Sequence, residues 1–154
     1  MRFRGEIICS VDDKGRVKMP VSFSRNFPDT DKSRFVIAKD LEDCLVIYTL
    51  GEWQAQEEKL KRLNQFDPKH RAFINAITVG LTEVEMDSAD RFLISKSLMK
   101  YIGNAKEVIL KGQFDRIQVW DATKYEQYIQ GNLANMSTLA ADVAQYLDAI
   151  DKVK

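Results

Sequence analysis

The sequence predicts an α+β fold made of two related halves, on three observations. Alternating apolar residues flank a turn in VDDKGRVKMP, residues 11–20. The same arrangement returns in EMDSADRFLIS, residues 85–95. Stretches with helical spacing follow each copy. Alternation at period two marks strands with one face inward, and spacing of three and four marks helices. At 154 residues the chain is long enough for one ordinary domain, or for two small halves sharing a core.

The elements follow in order. Ile7, Cys9 and Val11 alternate against Glu6, Ile8 and Ser10, and Val17, Met19 and Val21 against Arg16 and Lys18. Asp13-Lys14-Gly15 supplies turn chemistry between them, with Gly15 free to take positive φ, so 6–19 reads as a hairpin. Pro20 suits the first position of a short helix, PVSFSRNF, where its missing N–H costs nothing. RFVIAKDLEDCLVIYTL gives strands at 34–38 and 44–48. Thr49 precedes a helix whose inward residues are expected to be Trp53, Leu60 and Leu63. Asp67 is the expected N-cap, and Pro68 the first residue, of a helix with Phe73, Ile74 and Ile77 on one face.

The pattern then repeats. TEVEMDSADRFLISKSLMKYIG is hairpin plus short helix, KEVILKGQFDRIQVW a strand pair, and DATKYEQYI a helix. Asp12/Asp87 and Arg16/Arg91 correspond at an offset of 75, and Val36/Val108, Ile37/Ile109 and Ile47/Val119 at 72. Each half has too few strands to bury both faces alone, so the halves are expected to share one core. In the tail, Leu133, Met136, Ala140, Val143, Leu147 and Ile150 recur at 3, 4, 3, 4, 3. This short heptad seam could pack on the chain's own body or on a neighbouring subunit.

Composition narrows function. No run of about 18 apolar residues exists to span a membrane. MRFRGEIICS lacks the apolar core of a signal peptide, and two cysteines make no disulfide framework, so the cytoplasm is the expected compartment. The single histidine, His70, has no triad pattern around it, no Cys/His cluster has metal spacing, and no glycine-rich phosphate motif occurs. Lys14 and Arg16 would keep the Asp12–Asp13 pair ionised, which spoils it as an acid–base dyad. No catalytic residue, metal or cofactor is expected.

Net charge is zero, yet residues 1–39 hold nine Lys/Arg against five Asp/Glu, a surplus the rest of the chain cancels. Asp12 and Arg16 can bridge their turn, and so can Asp87 and Arg91. Exposed pairs of this kind contribute only about 0–1 kcal/mol, so stability alone is a weak reason for two copies. Arg16 presents a planar set of donors suited to phosphate or to guanine in a major groove. Lys14, Lys18, Arg2 and Arg4 lie near it in sequence and could neutralise backbone phosphates. A two-stranded ribbon is narrow enough for the major groove of double-stranded DNA.

Taken in order, FRGE at 3–6, DDKGR at 12–16, MP at 19–20, CLVIYTLGEW at 44–53, the helix containing RAF at 71–73, and DSADR at 87–91 resemble the MraZ family of bacterial transcriptional regulators. The resemblance implies two AbrB-type swapped-hairpin modules forming a pseudo-twofold β-barrel with flanking helices. The corresponding segments are a first module with its following helix at 1–64, a connecting helix at 65–80, a second module at 81–130 and an amphipathic helix at 131–154. It further implies a ring-shaped homo-oligomer, nucleoid-associated, that binds short direct repeats upstream of the division and cell-wall gene cluster. DNA contact carries over to Asp12 and Arg16 and to Asp87 and Arg91. The second copy departs from the family pattern, with Asp90 where glycine is usual and Ser95 where proline is usual. Aspartate tolerates positive φ better than most residues, so the turn is expected to survive. Glu83, Glu85, Asp87 and Asp90 make this copy acidic, so the first copy is expected to dominate DNA contact. The acidic C-terminal part keeps a second reading open, an oligomerisation or protein-binding module without DNA.

Overall fold

The computed structural model describes residues 2–31 and 33–153. They form eight strands and six helices: β1 (Glu6–Ser10), β2 (Arg16–Lys18), α1 (Val21–Ser24), β3 (Arg34–Lys39), β4 (Leu45–Tyr48), α2 (Leu50–Lys61), α3 (Pro68–Ile77), β5 (Thr82–Glu85), β6 (Arg91–Leu93), α4 (Lys96–Tyr101), β7 (Glu107–Gln113), β8 (Arg116–Asp121), α5 (Ala122–Ala134) and α6 (Met136–Val153). A short 3₁₀ turn at Asp29–Asp31 precedes β3. Two compact units result, Met1–Ala122 and Thr123–Lys154.

The first unit holds every strand. Six lie in one antiparallel sheet in the order β1-β7-β8-β4-β3-β5, and β2 and β6 form a separate two-stranded ribbon. The local hairpin read over 6–19 is therefore not formed. β1 pairs with β7 and β2 with β6, each from the other half. Alternation fixes which face of a strand is inward, not which strand lies beside it, and here the longer-range partners win. The pairing also leaves β1 and β5 as sheet edges, so the described strands form an open sheet and a ribbon rather than a closed barrel.

Exchange of the halves maps this order onto itself. In the ribbon Val17 pairs with Phe92, its own counterpart at offset 75, and in the sheet Val46 pairs with Gln118, its counterpart at 72. These two self-matching pairs are where an axis relating the halves crosses the strands. The core lies between the sheet and the ribbon. Ile37, Leu45, Ile47, Val108, Leu110, Ile117 and Val119 come from the sheet, and Val17, Met19, Phe92 and Ile94 from the ribbon segments. Edge-on aromatic contacts run from Phe3 to Phe27 (5.3 Å), Phe27 to Phe35 (5.5 Å) and Phe35 to Phe92 (5.4 Å). Such pairs add to the transfer energy of the buried rings, and they seat the ribbon.

Local signals were mostly realised. Thr49 accepts a hydrogen bond from the Glu52 N–H and caps α2, and Asp67 accepts one from the Lys69 N–H and caps α3 with Pro68 in its first turn. Pro20 is the N-cap of α1 instead of its first residue, because the N–H groups of Phe23 and Ser24 both donate to its carbonyl. Trp53 packs on Ala38, Val46 and Tyr48 across the outer face of the sheet. Leu60 and Leu63 are half-buried, whereas Phe73 of α3 is exposed. In the second unit, Met136, Val143 and Leu147 of the heptad seam are exposed.

Candidate nucleic-acid interface

Alternation across the ribbon decides what the site presents. Val17 and Phe92 point into the core and are fully buried. Arg16 and Lys18 of β2, with Arg91 and Leu93 of β6, must then occupy the opposite, outward face. Lys18 lies directly across from Arg91, and Arg16 across from Leu93. The two arginines, expected in separate hairpins, thus share one surface, three cations on six residues of ribbon.

Each arginine is oriented by the aspartate four residues before it. The Asp12 carboxylate accepts from the backbone N–H groups of Lys14 (3.0 Å) and Arg16 (2.8 Å) through Oδ1, and from Arg16 Nε (2.7 Å) through Oδ2. Asp87 repeats this with Ala89 (2.9 Å), Arg91 N (2.9 Å) and Arg91 Nε (2.9 Å). Both pairs are part-exposed. The backbone bond from Arg16, with further help from its side chain and the Lys14 N–H, holds the Asp12 carboxyl below its ordinary pKa against the opposing effect of burial. The backbone bond from Arg91 does the same for Asp87. Among the described residues, the terminal Nη groups of both arginines have no hydrogen-bond partner. Each guanidinium is therefore held at its inner nitrogen with its outer donors available.

The turns lock each other. Met19 N–H donates to the Asp90 carbonyl (2.8 Å), and Ile94 N–H to the Gly15 carbonyl (2.9 Å). Gly15 has φ +86°, and a Cβ there would meet the Ile94 carbonyl oxygen at 3.0 Å. Asp90, at the matching position, has φ +59°, so aspartate does take the left-handed conformation there.

Not every expected residue joins this surface. Arg2 and Arg4 lie beyond the opposite end of β1, where the Arg2 and Phe3 N–H groups donate to the Phe114 carbonyl. Five residues of strand separate that end from the 12–16 turn, about 17 Å of chain. Arg2 lies within electrostatic reach of Glu52 instead, close to Asp115 and Arg116. Conversely, Lys96 and Lys106 stand beside the first turn, and sequence proximity to it could not reveal them. Lys106 arrives through pairing of the two halves, its carbonyl accepting from Val11 N–H (2.8 Å).

The remaining residues offer little chemistry. His70 accepts a hydrogen bond from the Asn64 N–H (2.9 Å) through Nδ1 and so braces the link between α2 and α3. Among the described residues no group of three or more His, Cys, Asp or Glu could hold a metal ion, and no helix is long and apolar enough to cross a membrane.

Comparison with known proteins agrees with the duplicated architecture. The family model described as "MraZ protein, putative antitoxin-like" matches the chain twice, at residues 2–76 and 77–147. The chain is 37% identical over 142 residues to a protein of Acetivibrio thermocellus named transcriptional regulator MraZ, covering 92% of this chain and 96% of that one. Proteins of the same name from Photorhabdus laumondii (35% identical, 86% and 88% covered) and Cytophaga hutchinsonii (33%, 90% and 91%) are similar to it at comparable length. Two successive family matches, each carrying one Asp-x-x-x-Arg turn of the shared ribbon, place the chain in the MraZ family.

Proposed function

We propose that this chain is a sequence-specific DNA-binding transcriptional regulator and that the β2–β6 ribbon is its DNA-facing surface. One observation carries the reading: Arg16, Lys18 and Arg91 share the outward face of a ribbon whose inner residues anchor it to the core. A ribbon fits the major groove, and arginines held at Nε keep their outer donors free for guanine or phosphate. The Asp12 and Asp87 tethers reduce the side-chain entropy lost on binding. Relatives named as transcriptional regulators support the same reading.

The finer assignment is that of two swapped-hairpin modules, 1–64 and 81–130, joined by 65–80, followed by 131–154 and related by a pseudo-twofold axis. Several copies, arranged in a ring, engage short direct repeats upstream of the division and cell-wall gene cluster, and weak single contacts gain strength by multivalency. Zero net charge fits such a binder better than a strong single module. The second reading, an assembly module without DNA, draws on the exposed apolar residues Leu41, Phe73 and Val79. A binding titration of the full chain against duplex DNA from upstream of its own gene separates the two. The regulator reading expects binding that beats a scrambled duplex and weakens steeply with salt. An assembled protein that retains neither duplex would refute it.

A further inference from the structure

The ribbon matches Arg16 with Arg91 but Lys18 with the exposed Leu93, and its flanks differ further. Beside the 12–16 turn lies a cleft of about 480 Å³ whose lining includes Lys14, Lys96, Lys106 and Asn104. Among the described residues, none of the three ammonium groups has an ion-pair or hydrogen-bond partner. Two carboxylates also line it: Asp12 is already neutralised by Arg16, and Asp13 remains. The corresponding positions around the 87–91 turn are Ala89 for Lys14, Val21 for Lys96 and, for Lys106, Ser33, whose carbonyl accepts from Met86 N–H as that of Lys106 does from Val11 N–H. Ser33 carries no charge, its neighbour Arg34 is taken up by an ion pair with Glu83, and Val21 is exposed and apolar. Among the described residues, one turn thus has a cluster of unpaired cations and its counterpart has none.

We propose that this cleft seats one backbone phosphate of the bound duplex and thereby fixes the direction in which the ribbon lies on DNA. The inference rests on the DNA-binding reading. The two matched arginines would fit a duplex in either of two opposed orientations, with only Lys18 against Leu93 to tell them apart on the ribbon itself. A phosphate held by Lys14, Lys96 and Lys106 on one side only makes one orientation stronger. Phosphate contacts carry no base information, but they set register and orientation, which is the role a one-sided seat supplies. Lysine suits it as a flexible point charge, where an arginine fork is suited to reading a base edge.

Phosphate-ethylation interference on the upstream duplex tests this, with wild type, the triple variant Lys14→Gln/Lys96→Gln/Lys106→Gln and the charge-matched Lys59→Gln/Lys61→Gln/Lys69→Gln. Wild type is expected to show an interfering phosphate on one flank without a mirror counterpart. The cleft variant should lose that signal alone, and its log–log salt slope should fall by about 0.9, the value for one phosphate. The matched variant should keep the wild-type pattern. A wild-type pattern symmetric about the centre of the site, or equal effects of the two triple variants, overturns the seat while leaving the ribbon assignment standing. No wild-type binding to the duplex overturns both.

Discussion

Replacing Gly15 with alanine probes the turn that presents Arg16. Gly15 sits at φ +86°, where a residue with a Cβ loses about 1–2 kcal/mol from the clash with its own backbone. The new Cβ would also stand 3.0 Å from the Ile94 carbonyl oxygen, which belongs to the backbone and cannot rotate away. Relief by shifting the strand would lengthen the bond from Ile94 N–H to the Gly15 carbonyl, one of the two that tie the turns together. The cost should therefore be about 2 kcal/mol. For a chain of this size that lowers Tm by roughly 4–8 °C. Gly15→Asn should cost less, because asparagine enters this region more readily than alanine. Asp90→Gly tests the matching position from the other direction. It relieves the positive φ at Asp90 but makes the unfolded chain more flexible, so the net change should stay within about 1 kcal/mol. Thermal unfolding followed by circular dichroism ranks the four proteins. Gly15→Ala indistinguishable from wild type, or less damaging than Asp90→Gly, would refute the reasoning.

Other expectations follow from the same geometry. Asp12→Asn removes a negative charge from a surface meant to meet phosphate, yet should weaken DNA binding several-fold because Arg16 loses the partner of its Nε; fluorescence anisotropy showing tighter binding would favour bulk charge over orientation. Gly112→Ala would place a Cβ 2.4 Å from the Arg4 nitrogen and 2.5 Å from the Phe3 carbonyl carbon, so it should pull the buried Phe3 ring from the core and cost about 3–5 kcal/mol, the scale of a phenylalanine truncation, read by denaturant unfolding. Asp12 and Asp87 have lowered pKa values in the folded chain, so the stability they contribute is complete above the ordinary carboxylate range and is lost as pH falls through the lowered values. Carboxyl-carbon NMR titration should place both midpoints below that of an aspartate in an unfolded peptide.

Much of this was legible in the sequence, and what was not has a physical reason. Alternation at 6–11, the strand at 34–38, the caps Thr49 and Asp67, and the 75-residue return of Asp-x-x-x-Arg are local patterns, and local geometry followed them. The left-handed turn at Asp90 was legible too, since the residue type tolerates it. Partner choice was not. Nothing within residues 6–19 says that Cys9 will lie beside Val108 or Val17 beside Phe92, because strand pairing is decided by where whole faces can be buried. Every error about the site traces to this. Arg2 and Arg4 are near the turn in sequence but sit beyond the far end of β1, while Lys106, some ninety residues away in sequence, stands beside it. Arg16 and Arg91 were expected in separate hairpins and instead share a face. To the expected imbalance, an acidic second copy, the cations beside the first turn add the proposed one in the flanks.

The central claim is that the β2–β6 ribbon reads DNA. Its most direct test is an anisotropy titration of wild type and the Arg16→Ala/Arg91→Ala double variant against the upstream duplex and a scrambled one at two salt concentrations. The account expects wild type to prefer the upstream duplex, and the double variant, still folded by circular dichroism, to lose that preference together with most of its affinity. A double variant that keeps wild-type preference would contradict it.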